Sequence, residues 1–110
     1  MEKIVERTFL YDFYGELLTE HQQRIYEAVV LNDTGYSEVA AAEGISRQGV
    51  HDMVRRCDRQ LDEYEEKLQL LSRFLKIRDY ARRIKEAAGQ QPGKISDEII
   101  HLSEGILEEL

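Results

Sequence analysis

The stretch from Tyr36 to Cys57, YSEVAAAEGISRQGVHDMVRRC, decides the fold of this chain. Its central residue is Gly44, because glycine adopts a left-handed backbone conformation without a Cβ clash and therefore often ends a helix. Ser46 follows as a helix N-cap, whose side-chain oxygen can accept a hydrogen bond from the backbone two or three residues later. We therefore predict a short helix before Gly44 and a second helix that begins at about Arg47.

Two helices joined by a three- or four-residue turn that contains glycine form the helix-turn-helix pattern. In a DNA reader of this type, the exposed face of the second helix enters the major groove, where Arg and Gln side chains read base edges. The same pattern also suits a helical corner in a protein that binds no nucleic acid, because a fold does not fix a function. The candidate DNA-binding residues are Ser46, Arg47, Gln48, His51 and Arg55.

Length and composition favour one all-α domain. The chain has 110 residues with one proline, one cysteine and no tryptophan, and 34% of its residues are charged, which is typical of long exposed helices. It has neither an apolar run long enough to cross a membrane nor a secretion signal, so we expect a cytoplasmic protein with no membrane partner. The lone cysteine cannot form an internal disulfide, which agrees with a reducing compartment.

The formal net charge of −7 argues against nucleic acid, but the charge is unevenly distributed. Residues 1–45 carry 3 basic and 9 acidic side chains, residues 46–93 carry 11 and 8, and residues 94–110 carry 1 and 5. Only the middle of the chain is positive. Its most basic part is a candidate partner-binding cluster of six residues: Arg73, Lys76, Arg78, Arg82, Arg83 and Lys85.

Two helices are predicted ahead of the helix-turn-helix. Apolar residues at helical spacing indicate a first helix over about residues 3–18. Thr19 and Gln22 have the spacing of a capping box, in which each side chain bonds to the backbone of the other residue. A second helix should follow and end near Leu31, before the turn-forming residues 32–35.

From Val50 onward, apolar residues alternate four and three positions apart as far as Leu75, which predicts one long helix with a heptad seam. Its outer half needs a cover, which the C-terminal helix or a second copy of the chain could supply, and we expect both, with a homodimer. A shift of register near Ser72 predicts a bend or restart there. The seam residues of the core or dimer are Leu61, Tyr64, Leu68, Leu71 and Leu75.

The last part of the chain is predicted to be a linker and one helix. Residues 89–94 contain two glycines and a proline and should interrupt the long helix. Ser96 should cap the C-terminal helix, and Ile95 with Ile100 has the spacing of a hydrophobic staple. The predicted organisation is a helix-turn-helix head over 1–60, a helical arm over 61–88 that is continuous with the head, a linker over 89–94 and a helix over 95–110 that packs back.

The sequence also carries a family resemblance. Residues 18–24 and 37–50 look like the promoter-binding helix-turn-helix of bacterial sigma factors. The opening with Tyr11, Asp12, Phe13 and Tyr14, the Ser46-Arg47-Gln48 run and the tract over 61–68 resemble the YlxM family of small Gram-positive bacterial proteins. That family is described as a candidate DNA-binding regulator linked to the signal recognition particle pathway. The resemblance therefore implies either a DNA-binding regulatory role or an accessory role on the particle's GTPase or RNA.

No catalytic constellation is present in the sequence. The three histidines are scattered, no cysteine and histidine set has zinc spacing, and no glycine-rich phosphate loop follows a strand. We expect a protein that is not an enzyme and that has no metal, no cofactor and no small-molecule substrate. The expected fold is an all-α, sigma-like bundle whose recognition helix extends into a long helix.

Overall fold

The computed structural model describes residues 1–90 and 97–110, and in this part of the chain all regular structure is helical. The predicted all-α fold is therefore confirmed. The chain forms two compact units, Met1–Leu68 and Gln69–Leu110. The α-helices are α1 (Lys3–Tyr14), α2 (Glu20–Tyr26), α3 (Tyr36–Glu43), α4 (Arg47–Leu68), α5 (Leu70–Gln90) and α6 (Asp97–Glu109).

In the first unit, α1, α2 and α3 each pack against α4. The heptad positions of α4 form the centre of this core, because its apolar residues recur every three or four positions and lie on one face of the helix. The predicted burial of this part of the seam is confirmed. The core consists of Leu10, Tyr14, Leu18, Ile25, Tyr26, Val39, Ala40, Val50, Val54, Cys57 and Leu61.

Each of the two N-terminal helices ends in a helical turn that is not α-helical: the turn after α1 is tighter than an α-helix, and the turn after α2 is wider. A 3₁₀ turn over Gly15–Leu17 follows α1, and a π-helical turn over Glu27–Leu31 follows α2. The first predicted helix therefore ends at Leu17, one residue early because Leu18 is extended, and neither predicted helix is uniformly α. The capping box is confirmed: Gln22 N donates to Thr19 Oγ1 over 3.2 Å, and Thr19 N donates to Gln22 Oε1 over 2.9 Å.

The predicted arm over residues 61–88 is interrupted, and its predicted continuity with the head extends only to Leu68. The α4 helix ends at Leu68, and α5 begins at Leu70. Between them, Gln69 has φ of +57°, a left-handed conformation that no α-helix contains. The heptad spacing runs across this break because Gln69 lies outside the apolar positions, so the pattern could not reveal it. The predicted restart of the helix occurs three residues before Ser72.

The seam residues consequently divide between the two units. In the first unit, Leu61 is fully buried, Tyr64 is half-buried and Leu68 is 46% exposed. In the second unit, Leu71 is buried and Leu75 is half-buried. Leu61 and Leu71 are therefore core residues of a single chain, and a continuous dimer seam along all five positions is not available.

The second unit is formed by α5 and α6, which pack against each other. Lys76 Nζ lies 3.6 Å from Glu109 Oε1, and Gly105 lies against the ring of Tyr80. These pairings run in opposite directions along the chain, so the two helices are antiparallel. The predicted packing of the C-terminal helix on the arm is confirmed for α5.

Residues 91–96 lie outside the described part of the chain, and with them most of the predicted linker, the Ser96 cap and the Ile95 staple. The first two residues of the predicted linker, Gly89 and Gln90, belong to α5. Helical geometry tolerates this glycine because one unfavourable residue in the last turn costs only about 1 kcal/mol relative to alanine.

Candidate nucleic-acid interface

The turn between α3 and α4 has the geometry that the sequence predicts. Gly44 has φ of +68° and ψ of 31°, and its backbone N–H donates to the carbonyl oxygen of Ala40. Ile45 N also donates to Ala40 O over 3.1 Å, which satisfies the last turn of α3. Ser46 Oγ then accepts a 2.9 Å hydrogen bond from Gly49 N. A glycine C-cap and a serine N-cap therefore fix where both helices end and begin.

Apolar side chains of α3 and α4 are buried between the elements of the first unit, and they determine which face of each helix is exposed. Val39 and Ala40 of α3 are buried, as are Val50 and Val54 of α4. With the apolar face of α4 turned inward, its polar face at the N-terminal half is the surface available to a partner.

Arg47, Gln48 and Arg55 are exposed on this surface, and their interface role stays a prediction. Residues 48, 52, 55 and 59 are four, three and four positions apart, so they form one row along the helix. Arg59 continues this row and is exposed, and Arg56 is exposed beside it. The sequence prediction stopped at Arg55, although the same spacing could have identified Arg59.

One acidic residue interrupts the row of candidate reading residues. Asp52 is exposed, and its Oδ1 accepts a 3.0 Å hydrogen bond from Gln48 Nε2. An amide reads adenine through both its nitrogen and its oxygen, and the Asp52 carboxylate competes for this contact because it occupies one of the two N–H donors of Gln48. Asp52 also places a negative charge where phosphates would approach.

His51 has a different position from that of the other candidate residues. Its ring stacks on the ring of Tyr36, with 3.8 Å between centroids and 16° between planes, and the residue is half-buried. Tyr36 is the first residue of α3, so the stack connects the beginning of α3 with the second turn of α4. We conclude that His51 helps to position the two helices, and that the ring face packed on Tyr36 is not available to stack on a base.

Two other carboxylates near the helix-turn-helix are neutralised by arginines of the first unit. Glu43, at the end of α3, accepts a 2.9 Å charged hydrogen bond from Arg24 Nε. Asp58 lies 3.5 Å from Arg7 Nη1 and also accepts a hydrogen bond from Tyr26. Pairing reduces the field that these acids would direct at an approaching phosphate, so the local charge at α4 is more positive than the sequence total suggests.

The basic cluster of the second unit lies along α5, but several of its members are paired. Arg82 reaches Asp79 at 2.7 Å and Glu86 at 3.4 Å, and Arg83 lies 3.9 Å from Asp79. Arg78 lies over the Phe74 ring at 5.6 Å, and Lys76 pairs with Glu109. Arg73 and Lys85 are exposed on the same helix.

Two further searches bear on the class of site. Within residues 1–90 and 97–110, no three His, Cys, Asp or Glu side chains come together in a way that could hold a metal ion. The helices of this described part are also too short or too polar to cross a membrane. The features that stand out are therefore the helix-turn-helix and its arginine-bearing face.

A glycine-capped α3, a serine-capped α4 and an exposed polar face on α4 define a helix-turn-helix protein. Comparison with known proteins agrees: residues 1–100 match the model of the family described as "UPF0122: Putative helix-turn-helix protein, YlxM / p13 like". The chain belongs to the UPF0122 family.

Curated relatives support this assignment over nearly the whole chain. A UPF0122 protein of Halalkalibacterium halodurans is 37% identical over 106 residues, which cover 96% of this chain and 95% of the relative. The UPF0122 protein YlxM of Bacillus subtilis is 35% identical over 106 residues, with 96% and 94% covered. A UPF0122 protein of Symbiobacterium thermophilum is 46% identical over 68 residues, with 62% and 64% covered.

Proposed function

We propose that this protein is a DNA-binding regulatory protein that contacts duplex DNA through the exposed face of α4. The observation that carries the proposal is the row of residues on the helix that follows the capped turn. Arg55 and Arg59 are exposed on this row one turn apart, Gln48 lies nearer the turn, and Arg47 begins the helix. Arginine offers bidentate contacts to guanine and charged contacts to phosphate, so this row suits both reading and anchoring.

Electrostatics near α4 support the same proposal despite the net charge of −7. Four arginines lie between positions 47 and 59, and the acids in that range are Asp52 and Asp58. Asp58 is engaged by Arg7 and Tyr26. Repulsion from the remaining acidic surface lowers affinity most at low ionic strength, where the screening length exceeds about 10 Å. We therefore expect modest affinity that depends on a small number of arginines.

Binding of a mixed-sequence 30-base-pair duplex pool, measured by fluorescence anisotropy between 50 and 300 mM NaCl, tests this proposal. The variant with Arg47→Ala and Arg55→Ala should bind at least about 10-fold more weakly at 50 mM NaCl, and its salt slope should decrease by about 2, one for each lost phosphate contact. A matched control with Arg82→Ala and Arg83→Ala removes the same charge from α5. It should bind within about 2-fold of the unchanged protein.

Two outcomes would overturn the proposal. One is the absence of any shift with the duplex pool at 50 mM NaCl. The other is an equal loss in both double variants, which would mean that the overall charge and not the α4 face governs the association. Selection of tight binders from the pool would then give the sequence preference.

The alternative function is an accessory role in protein targeting, with the signal recognition particle GTPase or RNA as partner and the α5 cluster as contact. Exposed Arg73 and Lys85 support it. It ranks second because Arg82, Arg83 and Lys76 already have acidic neighbours within 4.0 Å, which reduces their attraction for an outside partner. Pull-down from cell extract with and without nuclease tests it. Arg82→Glu with Arg83→Glu should abolish capture and leave duplex binding unchanged.

A further inference from the structure

The hydrogen bond between Gln48 and Asp52 determines which atoms these two side chains present outside α4. Gln48 Nε2 donates to Asp52 Oδ1 over 3.0 Å, and both residues are exposed. The residues are one helical turn apart, and the Asp52 side chain reaches Gln48 because helical side chains lean toward the N-terminus. The amide nitrogen of Gln48 is therefore turned toward Asp52, and its amide oxygen is turned away.

The Asp52 carboxylate remains open to a further hydrogen-bond donor. A carboxylate has only acceptor oxygens, with about four lone-pair positions, and Gln48 uses one of them. The ion pairs formed within residues 1–90 and 97–110 all involve other acids, although Arg55 and Arg56 lie three and four positions after Asp52. This part of α4 consequently offers acceptors and a negative charge to a partner.

The exposed row on α4 changes from acceptors to donors along its length. Arg55 and Arg59 follow Asp52 on this row, and a guanidinium has donors and no acceptor. Asp52 and Arg55 are separated by about 4.5 Å along the helix axis, since each residue adds about 1.5 Å. Base pairs of a duplex are about 3.4 Å apart, so on a helix lying in the major groove these two side chains reach neighbouring base pairs.

The major-groove edges of the bases decide which base suits each side chain. Guanine presents two acceptors, thymine presents an acceptor and a methyl group, and adenine presents an acceptor beside its amine. Cytosine presents its N4 amine and no acceptor. Cytosine is therefore the base that offers the Asp52 carboxylate a donor without an adjacent repelling acceptor, whereas guanine suits Arg55.

We propose that Asp52, oriented by Gln48, is a specificity-determining residue that selects a cytosine at the base pair next to a guanine read by Arg55. This inference rests on the proposed function, because it concerns which sequence α4 reads in the major groove. The charge of Asp52 lowers affinity for duplex DNA in general, and it lowers affinity least where a cytosine amine donates to the carboxylate. Asp52 therefore acts mainly by excluding wrong sites.

Selection from a randomised duplex pool at 50 mM NaCl, followed by sequencing, is the first step of the test. The unchanged protein should enrich a cytosine with a guanine at the neighbouring pair. In the second step, fluorescence anisotropy compares the selected duplex with one in which only that C·G pair is inverted to G·C, so that base composition and charge are equal. The unchanged protein should bind the inverted duplex at least about 5-fold more weakly.

Three variants identify the source of this preference. Asp52→Asn should bring the two affinities within about 2-fold of each other, because an amide both donates and accepts. Glu63→Gln is the matched control, since it removes the same charge from another exposed position of α4, and it should keep the ratio of the unchanged protein. Gln48→Ala removes the bond that orients the carboxylate and should lower the ratio. Far-UV circular dichroism verifies that all three variants keep their helical content.

The outcomes distinguish this proposal from the proposal of DNA binding itself. A selected site without the cytosine, or a preference that Asp52→Asn leaves unchanged, overturns the role of Asp52 and leaves DNA binding by α4 in place. An equal loss of preference in Glu63→Gln also overturns that role, because the total charge would then govern the preference. An unchanged ratio in Gln48→Ala overturns the orienting role of Gln48. Absence of binding to any duplex overturns both proposals.

Discussion

The hydroxyl of Tyr26 donates a 2.6 Å hydrogen bond to Asp58 Oδ1, and this bond joins the end of α2 to the middle of α4. Arg7 of α1 approaches the same carboxylate, so three helices meet at one acidic side chain. Burial raises the pKa of the Tyr26 hydroxyl above its usual range, and the hydrogen bond to Asp58 adds to this increase. Tyr26 is therefore a neutral donor at all physiological pH values.

Replacing Tyr26 by phenylalanine should lower the free energy of unfolding by about 1–2 kcal/mol, because the half-buried Asp58 carboxylate loses a donor. Urea denaturation followed by circular dichroism measures the change. Tyr36→Phe is a suitable control, since it keeps the ring that stacks on His51, and we expect a change below about 0.5 kcal/mol. Equal effects in both variants would contradict the special role of the Tyr26 hydroxyl.

Gly105 and Gly89 give opposite predictions for the same substitution. A Cβ at Gly105 would lie 2.6 Å from Tyr80 Cζ, whereas no atom lies within 4 Å of a Cβ at Gly89. Gly105→Ala should therefore destabilise the α5–α6 pair by about 1–3 kcal/mol through overpacking. Gly89→Ala should stabilise α5 by up to about 1 kcal/mol through helix propensity. Thermal unfolding of both variants measures the difference, and a stabilised Gly105→Ala protein would contradict the close approach.

Replacing Gln69 by glycine should increase the free energy of unfolding. Left-handed backbone costs an L-residue about 1–2 kcal/mol, and glycine avoids that cost while losing somewhat more chain entropy on folding. We expect Gln69→Gly to raise the free energy of unfolding by about 0.5–1 kcal/mol. Gln69→Ala keeps the unfavourable φ of +57° and should gain nothing. If alanine stabilised the protein as much as glycine does, the residue would have to be helical.

The raised pKa of the Cys57 thiol predicts that the protein loses folding stability at alkaline pH. Burial raises the pKa of this thiol from 9.0 to about 11, and the neighbouring Asp58 adds to the increase while Arg56 opposes it. The folded state therefore favours the protonated thiol, so its contribution is complete below pH 9 and is lost as the pH rises from 9 to 11. At about 1.4 kcal/mol per pKa unit, the contribution is at most about 3 kcal/mol.

Unfolding by urea at pH 8, 9, 10 and 11 measures this loss, and Cys57→Ala serves as control because it removes the titrating group. The decline should be shallower in Cys57→Ala than in the unchanged protein. The buried thiol should also react slowly with an aromatic disulfide reagent at pH 8 until the protein is unfolded. Rapid labelling of the folded protein would contradict its burial.

Asp52→Asn should increase affinity for duplex DNA if α4 is the contact surface. The substitution removes a negative charge from the row that contains Gln48 and Arg55, and we expect roughly 3- to 10-fold tighter binding at 50 mM NaCl. Glu63→Gln removes the same charge about three helical turns further along α4 and should change affinity less. Anisotropy titrations of both variants against the duplex pool give the comparison.

Local signals predicted the helix-turn-helix well because single residues determine its boundaries. Gly44 ends α3 and Ser46 begins α4 through contacts within three or four positions, so sequence spacing contained the necessary information. The burial of Val50 and Val54 followed from periodicity for the same reason. Arg59 was not predicted because the predicted row of α4 residues ended at Arg55, one helical turn before Arg59.

The break at Gln69 and the stack of His51 on Tyr36 could not be predicted in this way. Glutamine is a good helix former, and no propensity marks it for left-handed backbone. The stack joins residues fifteen positions apart on two helices, so it depends on how α3 and α4 pack. His51 had the correct spacing for an exposed reader, and only its contact with Tyr36 distinguishes it from Gln48.

Helices α1, α2 and α3 all pack against α4 within Met1–Leu68, which bears on how the chain folds during synthesis. Domains generally fold as units while the ribosome is still adding residues. Once Leu68 has left the exit tunnel, all four helices of the first unit are available to pack. The helix-turn-helix can therefore reach its native packing while the rest of the polypeptide is still being translated.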